Sequence, residues 1–306
     1  MILRRILCNL WLRLALCAVF AGAFVVQGYL NSRQVEVTHT SIAIQGLPAG
    51  LQGLKVVQIS DLHSTLYGAG QEELLSLIRA EEPDIIALTG DFVDGYHPNE
   101  DNCVTLAKGL TDIAPVFRIR GNHEYYQSGI ATQDFDRKMA DAGVRLLENE
   151  ALVLRRNGTP WLLAGLDDIM RLDGDMARDK LWFWQREAYD AQSEAHFARQ
   201  LSQRMPEGEY GLRLMLSHRP YYWQIWADMG FDAALTGHLH GLQVRVPRVG
   251  GVALLGSSYF PQADCGLYSL AGIQVYISRG LARQSGLRGL RINNRPELAV
   301  LTFDSR

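Results

Sequence analysis

One unit recurs along this chain and constrains its fold more than anything else. It is a short, nearly continuous apolar run that ends abruptly in Asp, His or Asn. Lys55-Val56-Val57-Gln58-Ile59-Ser60 runs into Asp61-Leu62-His63, and Asp84-Ile85-Ile86-Ala87-Leu88-Thr89 runs into Gly90-Asp91. Pro115-Val116-Phe117-Arg118-Ile119-Arg120 runs into Gly121-Asn122-His123-Glu124. Leu212 to Ser217 ends at His218, and Phe231 to Thr236 runs into Gly237-His238-Leu239-His240-Gly241. Runs of this length and continuity read as buried strands. A glycine at the junction lets the backbone turn sharply. The polar residues then fall at the carboxyl ends of strands, the edge where open α/β sheets bind ligands. Of the eight histidines, five (His63, His123, His218, His238, His240) sit in these turns.

Between these runs, Gln71 to Ala80, Asn102 to Leu110 and Ile130 to Ala142 have helical spacing. Strand–helix alternation predicts an α/β core. Residues 35–45 alternate polar and apolar and read as an edge strand, and Gly46 to Gly53 is a turn-rich break. After Leu152 the signals become strand-rich: Ala151 to Leu154, Pro160 to Ala164, Gln243 to Val246, Val252 to Leu254, Gly272 to Ile277 and Leu298 to Phe303. Two sheets packed face to face with helices outside would use all of these segments. Met176 to Met205 is charged and helix-favouring, with Leu181-Trp182-Phe183-Trp184 inside it. It reads as an amphipathic helix packed on the domain. The competing reading is a lid or membrane-resting flap that receives an acyl chain.

Residues 1–34 are a different material. Arg4, Arg5 and Arg13 precede an uncharged run from Leu14 to Ser32, 19 residues long. A bilayer-crossing helix needs about 20 mostly apolar residues. Ala21-Gly22-Ala23 offers a signal-peptidase site, but the apolar run continues through Phe24, Val25 and Val26, which favours an uncleaved anchor. The arginines should stay cytoplasmic, so the domain 35–306 would face outward, into the periplasm if the source is a Gram-negative bacterium. The net charge of −3 calls for no nucleic-acid partner. Cysteines 8, 17, 103 and 265 show neither metal-ligand spacing nor a disulfide framework, though Cys103 and Cys265 are free to pair in an exported domain.

The ordered set Asp61-x-His63, Gly90-Asp91, Gly121-Asn122-His123-Glu124, His218 and Gly237-His238-x-His240 resembles the calcineurin-like metallophosphoesterase superfamily. The likeness runs from about Lys55 to the C-terminus. It is nearest to small bacterial membrane-associated phosphodiesterases, which share endings like Tyr276-Ile277-Ser278-Arg279-Gly280-Leu281 and Asn294-Arg295-Pro296-Glu297-Leu298. Leu239 and Leu242 depart from the usual Thr and Gly, a difference that bears on substrate fit. The resemblance implies a four-layer α/β/β/α sandwich. It implies one metal held by Asp61, His63, Asp91 and His240, and a second held by Asp91, Asn122, His218 and His238, with Asp91 bridging. It also implies that His123, outside both ligand sets, protonates the leaving group or steadies the transition state. Asp94 and Glu124 are candidates to orient it. Asp167-Asp168 are read as supporting a turn, and His39, His97 and His196 as surface residues.

The chemistry asks for this donor set. A phosphodiester repels an attacking hydroxide and leaves as a poor alkoxide. Two divalent cations about 3.5–4 Å apart clamp the phosphoryl oxygens and acidify a bound water. Oxygen and imidazole donors without thiolate suit Mn, Fe or Zn, with manganese the first choice. The expectation is a monomeric, membrane-anchored hydrolase of a phosphodiester or pyrophosphate bond in a lipid-linked substrate. The alternatives are a non-enzymatic metal-binding scaffold and a soluble-nucleotide phosphodiesterase.

Overall fold

The computed structural model describes residues 2–126, 132–171, 183–242, 244–246, 248–252, 263–283 and 291–306. The chain opens with α1 (Ile2–Arg33), whose segment Leu12–Arg33 is long and apolar enough to cross a membrane by length and composition. Among its described side chains, Leu12, Val19 and Phe20 are exposed, Val19 at 67% and Phe20 at 73%.

Next come β1 (Glu36–Ile44), β2 (Leu54–Ile59), α2 (Glu72–Glu81), β3 (Ile85–Thr89), α3 (Glu100–Thr111), β4 (Val116–Ile119), α4 (Thr132–Asp141) and β5 (Arg145–Leu146). With β14 (Glu297–Ser305) these strands form a six-stranded sheet in the order β1-β14-β2-β3-β4-β5. β2, β3, β4 and β5 are parallel, while β14 runs antiparallel to β2 and parallel to β1. Residues 35–45 do form an edge strand, as their alternation predicts.

The second half supplies β6 (Glu150–Arg156), β7 (Thr159–Gly165), α5 (Phe183–Ser202), β8 (Arg213–Leu216), α6 (Trp223–Asp228) and β9 (Ala233–Thr236). A two-stranded ribbon follows, β10 (Val244–Val246) with β11 (Gly250–Val252), then β12 (Gly266–Leu270) and β13 (Ile273–Ile277). The second six-stranded sheet has the order β12-β13-β9-β8-β7-β6, with β7, β8, β9 and β13 parallel.

Alternation along the strands sends side chains into three apolar clusters. Val57, Ile59, Ile86 and Leu88 pack with Leu74 and Ile78 of α2, Leu106 and Leu110 of α3, and Phe135 and Met139 of α4. The opposite faces, Val56, Ile85, Ala87, Phe117 and Leu301, meet Trp161, Leu163, Leu214, Leu216 and Leu235 from the second sheet. A third cluster joins Leu162, Met215, Ala234 and Val275 to Phe197 and Leu201 of α5 and Trp226 of α6. Burying one large apolar side chain contributes roughly 1.5–3 kcal/mol, so this two-sided burial fixes strand register.

Phe197 and Leu201 bear out the packed-helix reading for the end of the 176–205 segment. Trp182 and the side chain of Trp184, on which the lid reading rests, lie outside the described residues. So do Gln243 and residues 253 and 254 at predicted strand ends, and Ile130 at the start of a predicted helix. Cys103 and Cys265 are unpaired, as is Cys17.

Candidate metal centre

The parallel strands β2, β3 and β4 end on one edge and deliver Asp61 with His63, Asp91, and Asn122 with His123. β8 and β9 deliver His218 and then His238 with His240. Polar contacts lock the two edges together: Gln58 Nε2 donates to the Thr236 carbonyl at 2.8 Å, and both Asp61 oxygens accept from the His238 amide at 3.1 Å.

The donors fall into overlapping groups that could each hold a metal ion. Asp61, His63 and His240 form one, and Asp91, His218 and His238 another, each with donor atoms within 4.8 Å of one another. His63, Asp91 and His123 form a third. Asp91 joins the first two: its Oδ2 lies 3.2 Å from His218 Nε2 and 3.6 Å from His63 Nε2. His240 Nε2 lies 3.4 Å from Asp61 Oδ1, and His238 Nδ1 lies 3.3 Å from His218 Nε2.

Two observations make this a site that fits a metal. First, Asn122 Oδ1 and both ring nitrogens of His63 are buried with no hydrogen-bond partner. Buried polar atoms are ordinarily paired, so these donors fit a cation. Second, five of the residues stand in left-handed backbone: Asp61 (φ 50°), His63 (46°), Asp91 (51°), His238 (72°) and His240 (54°). Such residues cost about 1–3 kcal/mol each and cluster where structure serves function. The strain turns side chains inward at the strand ends.

Second contacts orient the rings. The peptide carbonyl of Thr89 accepts a hydrogen bond from His218 Nδ1 at 2.8 Å, which turns Nε2 toward Asp91. Burial opposes charge on His218, but the Asp91 carboxylate outweighs it and raises the imidazole to about 10. Burial pushes His240 down to about 3, and burial with the Arg219 charge holds His238 well below its ordinary range. Arg219 sits 3.4 Å from His238 Nε2 and is itself gripped by Asp168, at 2.8 Å and 3.3 Å.

Asp167-Asp168 thus do more than support a turn. Asp167 is buried and accepts from Arg120 at 2.8 Å and from the Tyr125 hydroxyl at 2.7 Å. Arg120 also pairs with Asp136 and Glu148.

His123 is placed differently. Its Nδ1 accepts from the Gly95 amide at 3.0 Å, so in the neutral ring the proton sits on Nε2. Burial lowers its pKa. The ring stands edge-on to His63, with centroids 4.3 Å apart. Asp94, one expected orienting group, lies 4.0 Å from His123 Nδ1 but 3.7 Å from His63 Nδ1, and accepts from the Tyr96 and His97 amides. Glu124, the other, turns away from His123. Its buried carboxylate accepts from the amides of Asp91 (3.0 Å), Phe92 (2.8 Å) and Gly121 (2.7 Å). The orienting contact on Nδ1 therefore comes from the Gly95 backbone.

The centre opens onto a cleft of about 740 Å³ lined in part by His63, Asp94, Tyr96, His97, His123 and Arg283. His97 is exposed, as expected, yet it stands on the cleft wall. His39 is exposed and paired with Glu81 at 2.9 Å, and His196 meets Gln200 at 3.0 Å.

Comparison with known proteins agrees with this geometry. The family profile for calcineurin-like phosphoesterases matches residues 54–242, more than half of the chain. This chain belongs to that family. It is 27% identical over 288 residues to the uncharacterized metallophosphoesterase YkoQ of Bacillus subtilis, covering 93% of this chain and 96% of that one. It is 28% identical over 254 residues to the phosphodiesterase YaeI of Escherichia coli, covering 81% of each. A transmembrane protein with metallophosphoesterase domain from Danio rerio is 26% identical over 302 residues, covering 94% of this chain and 62% of that protein.

Proposed function

We propose that the chain is a membrane-anchored, dinuclear metal-dependent hydrolase that cleaves a phosphodiester or pyrophosphate bond in a lipid-linked substrate. The observation that carries this reading is Asp91. One of its oxygens lies between His218 and His63, so a single carboxylate reaches both donor groups. Asp61, His63, Asp91 and His240 would hold one ion; Asp91, Asn122, His218 and His238 would hold the other. Mixed oxygen and imidazole donors suit Mn, Fe or Zn, and manganese is our first choice. When bound, the ion pair acidifies a water and neutralises phosphoryl charge.

The chain's own residues supply the rest. His123 presents its Nε2 proton from the cleft wall to the leaving-group oxygen, while the Gly95 amide on Nδ1 fixes the ring. Glu124 ties the Asp91 and Gly121 turns into one unit. Arg219 holds His238 so that its Nδ1 faces His218.

The domains are residues 1–34, an anchor, and 35–306, the hydrolase. We read the hydrolase as a four-layer α/β/β/α sandwich, which the three apolar clusters support. The basic flank of the anchor favours a domain outside the cytoplasm. Tyr29 and Arg33, stacked at 4.6 Å at the far end of the helix, suit an interfacial belt.

The test is hydrolysis of bis(p-nitrophenyl) phosphate beside p-nitrophenyl phosphate by the purified chain, after chelation and manganese add-back. Manganese-dependent cleavage of the diester over the monoester is expected. Preference for the monoester would make the protein a phosphatase instead.

A further inference from the structure

Among the described residues, Arg283 and Arg291 lack the ion pairs that the other arginines around the centre make; Arg291 is buried and donates to the Arg279 carbonyl at 2.9 Å, whereas Arg283 lines the cleft. Arg118, Arg120, Arg171, Arg219 and Arg279 each lie within ion-pair distance of a carboxylate. Among the described residues, Arg283 has no carboxylate at such a distance. Yet it is held in place. Its backbone amide donates to Thr65 Oγ1 at 3.1 Å, and its guanidinium lies over the Tyr67 ring, 4.0 Å from the centroid. Tyr67 is fully buried and donates its hydroxyl to the Leu281 carbonyl, so this platform is rigid.

One guanidinium nitrogen donates to the Arg33 carbonyl at 2.6 Å, whereas Nε is buried with no partner. The side chain lines the same cleft as His63 and His123. A positioned guanidinium that lines the cleft without a counter-charge suits an oxyanion that arrives with the substrate, and its planar shape matches phosphate oxygens. The scissile phosphate is already claimed by the metal-ligand cluster.

We propose that Arg283 forms a second anion subsite that binds a phosphate joined to the scissile one. This rests on the reading of the metal centre above and narrows its substrate class to pyrophosphate-linked diesters. Because Arg283 also holds the carbonyl of Arg33, the subsite lies at the domain end of the apolar helix, where a lipid-borne pyrophosphate would arrive. The exposed side chains of Leu66 and Tyr96 on the cleft wall suit the non-phosphate part of such a molecule.

The test reads binding rather than turnover. The full chain in detergent micelles with excess manganese is titrated with methylenebisphosphonate and with methylphosphonate, and the ratio of affinities is recorded. The parent should favour the bisphosphonate by about tenfold or more. Arg283→Gln should lower that ratio about tenfold, through loss of a charge-assisted contact to the second phosphate. Arg283→Lys keeps the charge without the fork and should fall between; it is read alone if thermal melting shows Arg283→Gln to be unfolded.

A parent without the preference, or variants with an unchanged ratio, would overturn the proposal. So would an unchanged ratio with lost affinity for dihexanoyl phosphatidylglycerol, which would give the guanidinium to a single lipid phosphate. A protein that binds as expected but hydrolyses neither nitrophenyl ester would count against the diesterase reading and leave the subsite standing.

Discussion

At the residue scale our reading sets the proposed ligands apart from His123 and Glu124, and substitutions should split the same way. Asp91→Asn replaces the one carboxylate that reaches both donor groups, so manganese content and activity should fall together. His123→Ala removes a ring that has its own backbone partner. Bound manganese, measured by plasma emission, should persist while turnover drops about 10²–10⁴-fold. If His123→Ala turns over like the parent, its assignment as the proton donor fails. Glu124 makes a different prediction. Its carboxylate satisfies the buried amides of Asp91, Phe92 and Gly121. Leaving a buried donor unpaired costs roughly 1–3 kcal/mol. Glu124→Ala should therefore destabilise the fold by about 3 kcal/mol or more in urea titration and empty the metal site, although Glu124 is no ligand. The donor residues were legible in the sequence because their type carries the chemistry and each follows an apolar run. The role of Glu124 was not, because its partners are backbone amides, which leave no trace in side-chain identity.

At the element scale the site is made by strand ends and by the turns that leave them. The parallel strands β2, β3, β4, β8 and β9 were readable as short apolar runs, and so was their direction relative to the site. Less readable was α6, whose six residues, Trp223–Asp228, are too few to show a helical period. The Arg120 network was also hidden: its partners Asp136, Glu148 and Asp167 come from separate segments, and a charged residue alone does not name its partner. Nor did the sequence show that five of the site residues take left-handed backbone. The tight turns bring a further demand. A methyl group added to Gly121 would meet the Asp91 carboxylate and amide, and one added to Gly237 would meet Ser60 and Asp61. Gly121→Ala and Gly237→Ala should each cost manganese affinity at least tenfold by calorimetry while the far-UV circular dichroism stays that of the parent. Unaltered affinity in either would mean that the turn relaxes without moving its carboxylate.

At the scale of the whole molecule, an exposed apolar helix and a metal-dependent fold must share one chain. Asn122 Oδ1 and the His63 ring nitrogens are buried without a hydrogen-bond partner, and a bound cation would satisfy such donors. Ligand binding to the folded state alone stabilises it by about 2.7 kcal/mol at a hundred times the dissociation constant. The melting temperature should accordingly fall on chelation and rise with added manganese, and Asp91→Asn should abolish that dependence. The helix makes the last demand. Its segment Leu12–Arg33 is 22 residues long. At about 1.5 Å per residue it spans about 33 Å, against a hydrocarbon core of about 30 Å. Leu12, Val19, Phe20 and Val26 are all exposed, which in water leaves a large apolar surface uncovered. A bilayer removes that cost. The chain should remain in the membrane pellet after alkaline carbonate extraction, and external protease should digest the hydrolase domain in intact spheroplasts. Replacing Leu16, Val19 and Phe20 by Asp should release it to the supernatant with its nitrophenyl-diester activity intact, because none of these side chains touches the metal centre. If carbonate extracts the parent chain, the helix is not a spanning anchor, and if the triple variant loses the diesterase activity while still folded, the helix contributes to the site through more than the Arg33 contact.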